Sequence, residues 1–381
     1  MIVGIICEYN PFHNGHLYHL EQIKKRFPDA KIILVMSGNF TERGVPSIID
    51  KWKKTEIALS FGVDLVVELP YVFATQSADT FAQASIELLT ELKVNYLVFG
   101  SESNNVEQLT EFAKIQVFSK DYDKRVKEYL KEGINYPSAL AKALYDFTGK
   151  KITKPNDTLG ITYIREILKQ ESKIVPITIK RNNDYNSLEL NDSITSASSI
   201  RYALEHGENV APYVPKETLK YLTSLHFSND YFPYLKYKIM TEPHLEQYLT
   251  VDEGIENRIT KYILESKDIN DLILKVKTKR YTYNKLNRMF LHILTSFSKE
   301  EKEQFNHIAY IRILGFSNIG RNHLKKIKDQ VNVPIISNYS SLKHPMLDLE
   351  LRSTCVYACT LNEKEKIELI EAEYKNIPII F

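Results

Sequence analysis

In the first 200 residues, short apolar runs alternate with segments of helical period, and this alternation limits the possible fold more than any other feature of the chain. Met1–Cys7, Lys31–Met36 (KIILVM), Val63–Leu69 (VDLVVEL), Asn95–Phe99 (NYLVF) and Lys173–Ile179 (KIVPITI) read as strands. Between them, His16–Phe27, Ser47–Leu59 and Ser77–Leu92 carry apolar residues at helical spacing. Strands that are apolar on both faces need cover on both faces, which predicts a parallel sheet between two layers of helices. Right-handed crossovers make this an open, doubly wound, Rossmann-like α/β domain. Pro176 weakens the ladder of the fifth run or places it at an edge. Ligands of such sheets bind beyond the carboxyl ends of the strands. That rule selects Cys7–His16, Ser37–Gly44, Gly100–Ser103 and the stretch from Lys180 onward.

Beyond residue 205 the pattern changes. Pro212 and Pro215 interrupt it, and Asp252–Ser266, Ile269–Lys277, Asn284–Ser296 and Leu361–Tyr374 are periodic in the helical sense. The expectation is a first domain over residues 1–205 and a mostly α-helical second domain over 206–381, with short strands near Ile311–Leu314 and Val333–Ile336. A chain of 381 residues suits two domains, because single cores stop growing near ~250–300 residues. Three cysteines, Cys7, Cys355 and Cys359, exclude a disulfide scaffold and a four-cysteine zinc site. No apolar run approaches the ~18 residues of a membrane span. The opening MIVGIIC lacks a basic n-region and a cleavage site, so it reads as a buried strand rather than a signal peptide. The expected compartment is the cytoplasm, with reduced thiols.

Chemistry concentrates at the end of the first strand, in Cys7-Glu8-Tyr9-Asn10-Pro11-Phe12-His13-Asn14-Gly15-His16. Asn-Pro marks a turn, Gly15 lets backbone approach a ligand, and His16 opens a helix whose first N–H groups and dipole favour an anion. Imidazoles three residues apart at that point can stabilise negative charge shifting on a phosphoryl group. Cys7 reads as a buried strand-end thiol rather than a nucleophile.

The segment resembles the His-x-Gly-His signature of the nucleotidyltransferase superfamily. Ser37-Gly38-Asn39-Phe40-Thr41-Glu42-Arg43-Gly44, Phe99-Gly100-Ser101-Glu102, Pro155-Asn156-Asp157, Lys180-Arg181, Ser196-Ala197-Ser198-Ser199-Ile200-Arg201 and Lys277-Thr278-Lys279-Arg280-Tyr281-Thr282 make the whole chain similar to the bacterial tRNA(Met) cytidine acetate ligase family. The resemblance implies an ATP-dependent ligase that activates acetate as acetyl-adenylate and acetylates N4 of the wobble cytidine of elongator tRNA(Met). It implies a catalytic pair, His13 and His16. It also implies an ATP site of Cys7, Glu8, Tyr9, Asn10, Pro11, Phe12, His13, Asn14, Gly15, His16, Leu17, Tyr18, His19 and Leu20, completed by Gly100, Asn156 and Arg181.

Ser198, Ser199 and Arg201, at the start of a helix ending near His206, are candidates for the leaving pyrophosphate. Mg²⁺ is expected on the triphosphate rather than in a protein cage, with no metal ligand assigned and Glu8 and Glu102 the nearest carboxylates. For Asn39 and Arg43 the alternative to a role at the site is a structural turn, and for Lys51 it is a solvated helix charge. With 50 Lys+Arg against 48 Asp+Glu, RNA binding must rest on local patches. Lys275, Lys277, Lys279, Arg280, Lys285 and Arg288 form an acid-free run interleaved with Tyr281 and Tyr283. Arg321, Lys325, Lys326 and Lys328 form a second cluster. The rival enzyme reading is a small-molecule adenylyltransferase of the pantetheine-phosphate or nicotinamide-mononucleotide type, for which residues 206–381 are more than the chemistry needs.

Overall fold

The computed structural model describes residues 1–181, 195–375 and 377–381. Of the stretch expected to line the site from Lys180 onward, residues 182–194 lie outside the described residues. The strands are β1 (Ile2–Cys7), β2 (Lys31–Ser37), β3 (Leu65–Leu69), β4 (Tyr96–Ser101), β5 (Val175–Lys180), β6 (Ile311–Phe316), β7 (Ile335–Ile336) and β8 (Ile379–Ile380). The helices used below are α1 (Asn14–Arg26), α2 (Lys51–Ser60), α3 (Ala78–Glu91), α4 (Tyr136–Thr148), α5 (Pro155–Lys169), α6 (Ala197–Glu205), α7 (Tyr283–Leu294), α8 (Pro345–Ala358) and α9 (Glu363–Lys375).

The sheet runs β5-β4-β1-β2-β3-β6-β7, and β8 also pairs with β6. β1 to β5 are mutually parallel. All five residues of β3, and Ile32 to Ser37 of β2, are buried. That is the two-faced burial expected of apolar strands without alternation. Chain order reverses between β1 and β4, so the crevice of a doubly wound sheet opens at their carboxyl ends. Pro176 sits in β5, the edge strand, where a missing donor is tolerated.

The segment after residue 205 behaves differently from a single helical block. Residues from Phe232 to Ile293 pack on one another around their own apolar core. The chain then returns to the first sheet: β6 lies antiparallel to β3, and Leu347, Tyr357 and Leu369 join the core that holds β1 to β5. The two short strands expected from sequence therefore extend the N-terminal sheet and cross the boundary drawn at 205/206. Five of the six residues of β6 are buried, so this strand needs a covered partner, and β3 supplies one.

Buried charges lock this return in place. Lys51 of α2 puts Nζ 2.8 Å from Glu68 of β3 and 2.8 Å from Glu373 of α9. Arg312 of β6 lies 2.7 Å from Glu373 and 3.2 Å from Glu68. Glu350 of α8 accepts from the Tyr71 N–H at 2.6 Å. Lys51, for which a solvated helix charge is one of the two readings open in sequence, is fully buried. Arg312→Met should leave Glu68 and Glu373 short of a cation and cost roughly 3–5 kcal/mol in denaturant unfolding. A loss below about 1 kcal/mol would show that the network does not hold β6 to the sheet.

Candidate active site

The turn after β1 is held from several sides. Tyr9 takes a left-handed backbone (φ 48°) and is buried. Asn10 accepts from the Ile48 N–H at 2.8 Å and donates to the Pro46 carbonyl at 3.2 Å. Its buried amide is therefore occupied in pinning the turn. Phe12 stacks on Phe61 with ring centroids 4.9 Å apart, and Leu20 lies in the core. Those two serve packing, whereas Tyr18 and His19 line the cleft.

His13 caps α1: its Nδ1 accepts from the Gly15 N–H at 3.0 Å. His16 Nδ1 accepts from the His13 N–H at 3.3 Å, and the two ring centroids are 3.8 Å apart. A ring nitrogen that accepts an N–H carries no proton of its own, so each neutral ring bears its proton on Nε2. Burial, reinforced by Arg181 and Arg201, pushes His13 down to about 3. Burial, then His13 and Arg181, hold His16 well below its ordinary value. At neutral pH both rings are uncharged Nε2–H donors. The free helix N–H groups expected at this end are engaged instead: the Asn14 N–H meets the Tyr213 carbonyl at 3.0 Å and the His16 N–H meets the His13 carbonyl at 2.8 Å. What the cleft offers to an anion is therefore side chains rather than α1 backbone.

Two adjoining cavities open at this turn. One of about 120 Å³ is lined by Gly15, His19, Gly100 and Ile179, and one of about 330 Å³ by Thr41, Glu42, Arg43, Phe81, Ser198 and Arg201. His13, His16, Asn156, Tyr163 and Arg181 border both. The crevice predicted from strand ends thus gathers His13, His16, Gly100, Asn156, Arg181, Ser198 and Arg201.

Arg181 donates to Asn156 Oδ1 at 3.1 Å, and Asn156 Nδ2 donates to Glu102 Oε1 at 2.6 Å. Glu102 also accepts from the Asp157 N–H at 2.9 Å, while Asp157 accepts from the Ser103 N–H at 3.0 Å. The end of β4 and the start of α5 therefore cap each other. Arg201 donates to the Asn10 carbonyl at 2.6 Å and to Ser198 Oγ at 3.1 Å. Burial, then Arg43, pushes Arg201 down to about 10. Among the described residues neither Arg181 nor Arg201 makes an ion pair. Two half-buried guanidinium groups with no carboxylate partner among the described residues form a site that an anion completes.

Gly100 has a direct steric reason: a Cβ there would lie 3.1 Å from Arg181 Cγ. Gly100→Ala should displace the guanidinium and raise the Michaelis constant for ATP by roughly tenfold or more, with the thermal melt unchanged. An unchanged constant would separate Gly100 from the nucleotide site.

Several expected roles move. Ser196 caps α6, accepting from the Ser199 N–H at 3.1 Å, and Ser199 is fully buried with its hydroxyl 2.8 Å from Ser196 Oγ. Of Ser198 and Ser199 only Ser198 lines the cleft, with Ser196 beside it. Asn39 accepts from the Lys51 N–H at 3.0 Å and donates to Thr354 at 3.2 Å, a structural role. Burial raises the Cys7 thiol to about 11, so it is no thiolate. Glu8 accepts from the Glu42 N–H at 2.7 Å and from Ser37 Oγ at 3.3 Å, so its carboxylate and that of Glu102 are both committed to protein donors.

The acid-free basic run also changes character. Arg288 pairs with Glu42 at 2.8 Å, Lys275 with Asp271 at 2.9 Å and Arg280 with Glu253 at 2.8 Å. Tyr281 is buried, with Lys285 Nζ 4.1 Å from its ring centre, so it offers no face to a base. Lys277 and Lys279 stay exposed. Acids distant in sequence fold back onto a stretch that contains none.

Lys54 and Tyr163 escaped the sequence reading. Lys54 Nζ holds the Glu8, Ser37 and Gly38 carbonyls at 3.0, 2.9 and 2.8 Å, tying the ends of β1 and β2 together beneath the cleft. A lysine three positions after Lys51 looks like a helix-surface charge, and nothing in the spacing marks it. Tyr163 belongs to a run with apolar neighbours on both sides and signals only core.

The HIGH Nucleotidyl Transferase family model matches residues 1–371. The chain is 42% identical to the tRNA(Met) cytidine acetate ligase of Geobacillus sp. (strain WCH70) over 397 aligned positions, covering 99% of each chain. It is 37% identical to that of Bacillus subtilis (strain 168), covering 99% of this chain and 96% of the other. Its structure is similar to the apo crystal structure of Thermotoga maritima TmcAL, with 31% identity, a TM-score of 0.92 and coverage of 100% and 99%. Against the Thermotoga maritima TmcAL structure bound with alpha-thio ATP, identity is 32%, the TM-score 0.89 and coverage again 100% and 99%. With the paired imidazoles at the β1–α1 turn and whole-length similarity at these levels, the chain belongs to the HIGH Nucleotidyl Transferase family and, within it, to the tRNA(Met) cytidine acetate ligases.

Proposed function

We propose that this chain is an ATP-dependent ligase that joins acetate to AMP with release of pyrophosphate, then transfers the acetyl group to N4 of the wobble cytidine of elongator tRNA(Met). The observation that carries this reading is the ring of neutral His13 and His16 donors, with Arg181 and Arg201, which make no ion pair among the described residues, around one cleft at the ends of β1 and β4. Acetate is a poor acyl donor because its oxygen leaves poorly. Attack of its carboxylate on the α-phosphorus makes a mixed anhydride, from which AMP leaves when the cytosine amine attacks. Imidazole Nε2–H groups and guanidinium groups stabilise the charge that moves onto the phosphoryl oxygens and the departing pyrophosphate. No protein nucleophile is needed, in keeping with the high thiol pKa of Cys7.

Mg²⁺ suits this chemistry as a passenger on the triphosphate, where it would neutralise phosphate charge. Glu8 and Glu102 are each bound to backbone N–H groups and are not spare ligands. The exposed Lys277 and Lys279 support a contribution of residues 206–381 to tRNA docking, and ATP and tRNA as substrates suit an enzyme of the cytoplasm. Among the described residues no helix is long and apolar enough to cross a membrane.

The test is incubation with labelled acetate, ATP and bulk tRNA, followed by digestion to nucleosides. Label in acetylcytidine is expected. AMP transfer to a phosphate-bearing small molecule without labelled RNA would favour the adenylyltransferase reading instead.

A further inference from the structure

A base that reacts in the cleft must be fed in across its rim, and the flanking phosphates must lie on protein. The rim beside Asn156 is unusual. A parallel crossover needs one helix, yet between β4 and β5 the chain builds Val106–Phe118, Lys120–Lys131 and α4 before α5. The last of these added helices ends at Gly149, in a left-handed conformation, and the chain runs through Lys150, Lys151 and Lys154 into Pro155 and Asn156. Pro155 and Asn156 line the larger cavity.

All three lysines are exposed. Among the described residues none of them makes an ion pair, and the nearby acids are already engaged. Asp146 binds Arg125 at 2.7 Å, and Glu102 and Asp157 cap each other's backbone. Tyr145 is 45% exposed, and Lys151 Nζ lies 5.8 Å from its ring centre. The run near residue 280 is the reverse case, with three of its cations neutralised and one tyrosine buried.

We infer that Lys150, Lys151 and Lys154, with Tyr145, form a docking surface for single-stranded RNA flanking the base that enters the cleft. Uncompensated ammonium groups contact phosphates, and an exposed ring beside them stacks a base without reading its identity. This inference rests on the RNA-acetylating reading above. An acidic protein would use the same lysines but gain nothing from the tyrosine face, so Tyr145 separates the two partners.

The experiment uses the full chain and an unmodified transcript of elongator tRNA(Met). In the triple variant Lys150→Ala, Lys151→Ala, Lys154→Ala, the Kd for the transcript should rise tenfold or more. The slope of log affinity against log salt should fall by about two to three, one counterion per lost contact. Tyr145→Ala should weaken binding roughly fivefold or more with the slope unchanged. Acetate-dependent ATP–pyrophosphate exchange should stay within twofold of the parent in both variants. Lys364→Ala with Lys375→Ala, which removes exposed α9 lysines already paired with Glu368 and Glu371, serves as the control. A triple variant within twofold of the parent Kd, or a loss matched by the control, overturns the inference. A loss with the triple variant but none with Tyr145→Ala overturns the RNA assignment in favour of a purely ionic partner. If the parent chain binds the transcript but does not acetylate it, the ligase reading fails while the docking surface is still judged by binding alone.

Discussion

His16→Ala should lower acetate-dependent ATP–pyrophosphate exchange by about 10²–10³-fold, the usual consequence of deleting one preorganised donor to a developing oxyanion. The loss should fall on turnover rather than on the Michaelis constant for ATP, because the donor matters most as charge shifts. The fold should survive. His16 accepts only a 3.3 Å contact from the His13 N–H and packs edge-on to Tyr9 at 4.8 Å, so roughly 1–2 kcal/mol of stability is at stake. His16→Asn restores a neutral N–H donor of shorter reach and should recover part of the rate. His13→Ala is a less clean test, because His13 also caps α1, a role worth about 1 kcal/mol. Turnover within fivefold of the parent in a folded His16→Ala variant would remove His16 from the reaction.

Acid should unfold this protein at a pH where most of its carboxylates are still charged. Burial, reinforced by Arg181 and Arg201, holds His13 at about 3, and burial, reinforced by Arg181, holds His19 at about 4. Burial holds His226 at about 4, against a small opposing pull from Asp50. An unfolded imidazole titrates near 6.5, so between that value and 3–4 the unfolded chain binds more protons than the native one. Stability is therefore complete above about pH 6.5 and falls as the pH drops towards the folded values. Each of the three groups contributes a loss of about 2 kcal/mol by pH 5, roughly 6 kcal/mol together, against a typical total of 5–15. Burial also lowers His292, to about 4, but both its ring nitrogens face carbonyl oxygens, of Leu249 at 3.2 Å and Thr75 at 3.0 Å, which favour a second proton and oppose that shift. Circular dichroism and Trp52 fluorescence should report a cooperative transition centred between about pH 4 and 5.5, shifted downward in His226→Gln. Native signal persisting at pH 4 would mean that these rings are more accessible to water than their burial implies.

The layered core and the position of the cleft were legible in sequence because both depend on local signals. Buried parallel strands leave continuous apolar runs such as KIILVM, and the rule that ligands sit beyond strand ends then located His13, Gly100 and Arg181. The Asn-Pro turn and the two histidines carry their meaning within seven residues. Charge partners were not legible. Lys51, Lys54, Arg288 and Arg312 look alike as isolated cations, yet one sits in a buried network, one holds three carbonyls, one braces Glu42 and one anchors β6.

The strand–helix alternation, the turn that carries both imidazoles and the crevice they border are written along the chain, because periodicity and turn chemistry act between neighbours. Folding alone sets which cations lack an acidic partner among the described residues, which serines face the cleft and that β6 returns to the first sheet. Those outcomes depend on contacts between residues tens to hundreds of positions apart, and the energy of an ionic or polar group is set by its burial and its partner rather than by its type.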